Sequence, residues 1–91
     1  MTEDATTIWS NQELYGALRI TCSQLKKDGL PDEAAYLLET FGYSSLPGEL
    51  LGEFRVVIRN ILTKKVTSRT RRGLERELAA INSALGPSTP N

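Results

Sequence analysis

The stretch from position 50 to 62 constrains this chain more than any other feature. Leu50, Leu51, Phe54, Val57, Ile58, Ile61 and Leu62 recur at intervals of one and three residues. At about 100° per residue they cover an arc of roughly 140°, the apolar face of a helix. On a strand the same residues would be thrown to both sides. A helix with so wide an apolar face has to be covered, and the rest of the chain reads as its cover.

Ser10 and Glu13 form the pattern of a capping box, in which hydroxyl and carboxylate each take an amide of the first turn. Trp9 and Leu14 stand at the positions of a hydrophobic staple. Leu14, Leu18, Thr21, Cys22 and Leu25 share one face. Gly29 then suits a left-handed cap, with Leu30 returning toward Leu25. These signals predict a helix over about 11–27. Pro31, followed by Asp32 and Glu33, opens a second helix over about 31–41. Ala34, Leu37, Leu38 and Phe41 form its expected buried face. Gly42 ends it, with Tyr43 placed to cover Leu38. Ser44, Ser45 and Pro47 open the third helix, about 47–63, with Glu49 in its first turn. A fourth, about 69–85, carries Leu74, Leu78, Ile81 and Leu85 at a 4-3-4 spacing, a narrow seam that suits either the bundle interior or a second copy. Gly86 and Pro87 stop it. No strong breaker separates the third helix from the fourth, so a turn at Thr63–Thr67 and a continuous helix both fit. The expected fold is all-α: a small, compact, four-helix bundle-like domain over 10–86, with tails at 1–9 and 87–91.

The residue inventory removes whole classes of chemistry. The 91 residues include no His and one Cys. A Ser-His-Asp triad, a Cys/His zinc site and an intrachain disulfide all lack their parts. No GxxxxGK[ST] loop is present. Glu49 and Glu53, four apart on one helix, are the nearest approach to a catalytic pair and read as solvated surface. No cofactor or metal is expected, and no enzyme activity. The acidic first nine residues do not resemble a signal peptide, and no apolar run approaches the ~18 residues of a membrane span. A cytoplasmic setting is expected, with Cys22 as a small buried hydrophobe.

The formal charge is zero, but its distribution is uneven. Residues 1–53 hold nine acids and three bases, a net of −6, and residues 54–91 hold eight bases and two acids, a net of +6. Lys65, Arg69, Arg72 and Arg76 would share one face of a helix, opposite the leucine seam. Such a stripe suits an acidic protein surface or phosphates. The segment Leu38–Leu50 has a faint helix-turn-helix look, but Glu49 and Glu53 would repel a phosphate backbone. Gly48, Gly52 and Val56 line a small-residue strip on the third helix. Each glycine inside a helix costs about 1 kcal/mol against alanine, so close approach of another helix is expected there, with a dimer contact as the alternative. Ile20, Tyr36 and Val56 fall off the apolar faces and would mark an interface if they clustered. The function expected is a non-enzymatic protein-protein interaction or regulatory module, self-association included. The alternative is a small nucleic-acid-binding regulator using the basic face of the last helix.

Overall fold

The structure is a computed structural model and describes residues 9–86. Four helices account for most of them: α1 (Asn11–Lys27), α2 (Pro31–Thr40), α3 (Pro47–Leu62) and α4 (Ser68–Leu85). There is no strand among the described residues. The all-α, four-helix expectation is met. Of the expected tails at 1–9 and 87–91, residues 1–8 and 87–91 lie outside the described residues. No helix is long and apolar enough to cross a membrane.

The local signals act as read. The Ser10 hydroxyl accepts from the Glu13 amide at 3.1 Å, and the Glu13 carboxylate accepts from the Ser10 amide at 2.9 Å. Gly29 closes α1 at φ +83°, and the Leu30 amide returns to the Leu25 carbonyl at 2.9 Å. That αL position is nearly free for glycine and strained for other residues. Trp9 packs against the core ahead of the capping box.

Helices α3 and α4 are separate. Thr67 caps α4, its hydroxyl accepting from the Thr70 amide at 3.2 Å. The Arg71 guanidinium reaches back and donates to the carbonyls of Leu62 and Lys64, at 3.1 and 3.4 Å. One side chain thus satisfies carbonyls left open where α3 ends. Lys65 therefore lies in the connecting turn and not on α4, which removes it from the predicted helical stripe.

The helices pack in cyclic order: α1 beside α2 and α4, and α3 beside α2 and α4. Across one diagonal, α1 and α3 meet through side chains. Phe54 of α3 is fully buried, with its ring centroid 4.9 Å from Phe41 and 6.3 Å from Tyr15 of α1. Such aromatic pairs contribute about 0.5–1.5 kcal/mol beyond the area they bury. Every residue of the predicted α3 face is buried except Leu62, which is half-buried. All five predicted on α1 are buried as well, Cys22 among them.

Two faces are rotated from their expected positions. On α2 the buried residues are Ala34, Leu37 and Thr40, while Leu38 is 51% exposed and Tyr43 59% exposed. Thr40 can be buried because its hydroxyl donates to the Tyr36 carbonyl at 2.8 Å. With Leu37 at the centre of the contact, Leu38 falls outside it and has no cover from Tyr43. On α4 the seam faces inward, as one of its two expected settings had it. Leu74 and Ile81 are fully buried, but Leu78 and Leu85 are only half-buried. The inward row is Thr70, Leu74, Glu77 and Ile81, which again has a 4-3-4 spacing.

Candidate functional site

Helix α1 carries a depression on each side. The first lies against α4. The α1 C-terminus meets the α4 N-terminus, where Asp28 accepts hydrogen bonds from the hydroxyls of Thr67 and Thr70. A carboxylate there also suits the positive end of the α4 dipole. Further along, Thr21 faces Glu77, so the two helices run antiparallel. The Thr21 hydroxyl donates to Glu77 Oε2 at 2.6 Å. Glu77 is only 3% exposed, and its other oxygen, Oε1, has no hydrogen-bond partner among the described residues.

A buried carboxylate with one oxygen unsatisfied is expensive. Burial pushes the Glu77 carboxyl up to about 7, against the opposing pull of the Thr21 hydroxyl and the Arg76 charge. Relative to its ordinary value of 4.5, ionising it in the fold costs about 3 kcal/mol. Glu77 and Thr21 line a cavity of about 220 Å³. Trp9, Ile20, Arg69 and Arg76 line it too. Gly73 leaves the approach open: a Cβ there would sit 3.6 Å from Thr21 Oγ1 and 3.9 Å from Glu77 Oε2.

The second depression, about 370 Å³, lies between α1 and α2 and is lined by Arg19, Cys22, Lys26, Pro31, Ala34, Ala35 and Leu38, with Ser23 beside them. Short side chains at 34 and 35 open the groove, and exposed Leu38 forms an apolar edge. Arg19 stands 4.2 Å over the Phe41 ring, a cation–π contact that orients its guanidinium. Burial, and then the Glu77 charge, push the Cys22 thiol up, so it is a poor nucleophile at neutral pH.

The residues singled out from sequence are dispersed. Arg69, Arg72 and Arg76 are exposed on α4, and two of them reach the first cavity. Lys65 is exposed in the turn. Ile20, Tyr36 and Val56 are 64%, 40% and 54% exposed, and no one of the depressions brings them together. Ile20 belongs to the α1/α4 cavity, and Tyr36 lines a shallow depression with Tyr43 and Glu53. Val56 lines none of these. The expected close approach of another helix to Gly48 and Gly52 is absent: a Cβ at either would meet nothing within 4 Å. Gly48 is the second residue of α3, where the helix-interior cost does not fully apply. Glu49 is exposed and accepts the Ser44 hydroxyl at 2.9 Å, while Glu53 is half-buried.

Sequence reasoning missed Glu77 and the α1/α2 groove. The signal for Glu77 was its position, three after Leu74 and four before Ile81. The signal for the groove was Arg19, Ser23 and Lys26 at helical spacing beside the cysteine. Among the described residues, no three of His, Cys, Asp and Glu come together as a metal-ligand group. Compared with protein-family models, curated proteins and solved structures, the chain finds no match.

Proposed function

We propose that the chain is a non-enzymatic protein-binding module whose α1/α2 groove receives the apolar face of an acidic helical segment from a partner protein. The observation that carries this reading is exposed Leu38 at the edge of a groove set between Arg19 and Lys26. Residues 1–53 hold only three bases against nine acids. Two of those three bases line this one groove. Positive charge is thus concentrated around an apolar slot in an otherwise acidic half of the chain. An incoming helix would supply apolar side chains to Pro31, Ala34 and Leu38, and carboxylates to the rim. The rim charges would set the encounter rate and the choice of partner more than the final affinity. Nucleic acid is the weaker reading, because Lys65 leaves the α4 stripe and Arg69 and Arg76 border a cavity that holds a carboxylate.

The test uses a labelled synthetic helical peptide with leucines at i, i+4 and i+7 and glutamates on the flanking positions. Its anisotropy should rise saturably with protein, and less so at high salt or with Lys26→Glu or Leu38→Ser. The same peptide with lysines in place of glutamates should not bind. Equal binding of both peptides, or of neither, would contradict the reading. A mass that grows with concentration in sedimentation, and stays constant in Leu38→Ser, would identify the occupant as a second copy of the chain instead.

A further inference from the structure

The outer sides of α2 and α4 carry opposite charge. α2 is the one helix of the four without a base, and between Gly29 and Phe54 there are five acids and no Lys or Arg. Asp32, Tyr36 and Glu39 are exposed. At about 100° per residue they fall within about 60° of one another on α2. Tyr36 and Glu39 line a shallow depression together with Tyr43 and Glu53, so α3 extends this face. On α4, Arg69, Arg72 and Arg76 are exposed and share an arc of the same width. Glu75 is the only exposed acid on that helix, since Glu77 is buried on its inner side. We propose that the α2 face of one molecule docks on the α4 face of a second copy, so that the chain assembles head to tail.

Charge complementarity selects the occupant. Either face against its own kind sets like charges together and is repelled. Each against the other pairs guanidinium groups with carboxylates, and guanidinium groups also stack on tyrosine rings. The chain thus carries both halves of one interface. Its formal charge is zero, so separate copies have no net repulsion to overcome. Direction follows from the packing. α2 and α4 stand at opposite corners of the bundle, each beside α1 and α3 and not beside the other. Their outer sides therefore point away from each other, and two molecules cannot make both contacts at once. Such a contact is heterologous and runs on into a chain or closes into a larger ring. α2 has 10 residues, so the contact is small, and small charged contacts are weak and fade with salt. Leu38 lies on the α1 side of α2, so the α1/α2 groove stays outside this contact.

Sedimentation equilibrium tests this, with protein from about 20 μM to about 1 mM, in about 50 mM and about 1 M salt. In low salt the average mass should climb with concentration past twice the monomer mass of 10.1 kDa. In high salt it should return to the monomer. Glu39→Lys with Glu53→Lys reverses one face, and Arg69→Glu with Arg72→Glu reverses the other. The second pair keeps Arg76, the neighbour of Glu77, and places an acid in the first turn of α4, which suits the helix dipole. Each reversed variant should stay monomeric alone. Mixed in equal amounts, the two should regain the growth in mass, because every face then meets its complement, and that recovery requires both to be folded. Leu38→Ser should behave as the wild type. A wild type that is monomeric at every concentration in low salt would overturn the proposal. So would growth that stops at two chains, growth unchanged in either reversed variant, a mixture that stays monomeric, or growth lost in Leu38→Ser.

Discussion

Helix α1 meets its neighbours through two unlike seams. Toward α2 and α3 it contributes Tyr15 to a cluster with Phe41 and Phe54, with ring centroids 4.9–6.3 Å apart. Toward α4 it contributes Thr21 and Asp28, which meet Glu77, Thr67 and Thr70. The aromatic seam draws on burial and needs no partner beyond the chain. The polar seam buries a carboxylate that would be cheaper as leucine. A small domain has little stability to spare. That one of its helix contacts carries such a group separates what holds the fold from what the fold presents.

The largest expected effect falls on the aromatic seam. Phe54→Ala should destabilise the protein by about 3–5 kcal/mol in denaturant titration, enough to leave a large unfolded fraction. A loss below about 1 kcal/mol would mean that this seam does not hold the fold. On the polar side, Thr21→Val removes the only donor to Glu77 among the described residues. At pH 8 it should cost about 1.5–3 kcal/mol, as for a hydrogen bond to a charged group. At pH 5, with the carboxyl protonated, the cost should be smaller. A loss independent of pH would break the contrast between the seams. Smallest is Gly52→Ala on α3, away from both seams, with open space around its Cβ position. It should stabilise by about 1 kcal/mol. Destabilisation there would reveal a contact the monomer does not contain.

The contrast also explains what could be read from the sequence. α1 and α3 were legible because their caps and apolar spacings agree, and both faces are buried nearly residue for residue. α2 was legible as a helix but not in its rotation. Leu37 and Leu38 are adjacent, and only packing against α1 and α3 chooses between them. Thr40 is buried because a bond to the Tyr36 carbonyl satisfies its hydroxyl, which the apolar pattern does not register. On α4, Leu74 and Ile81 were placed correctly. Glu77 was overlooked because a charged residue in a seam reads as an outer position until its neighbours are known. Gly48 and Gly52 suggested close helix contact, yet glycine spacing alone says nothing of what lies opposite. The groove was hidden for the same reason, since Arg19, Lys26, Ala34 and Leu38 come together only when α1 packs on α2.

The central claim is that Glu77 is retained in the α1/α4 seam at a cost to stability. The folded-state value of about 7 lies above the ordinary 4.5, so the folded protein holds this proton more tightly than the unfolded chain. Stability from this group is therefore full below about pH 4.5, falls as the pH rises from there to about 7, and levels off above. The direct measurement is the unfolding free energy of the wild type minus that of Glu77→Gln, taken from pH 4 to pH 8. The difference removes every other titrating group. It should fall by about 3 kcal/mol across that range. Parallel profiles, with a constant difference at every pH, would contradict the account.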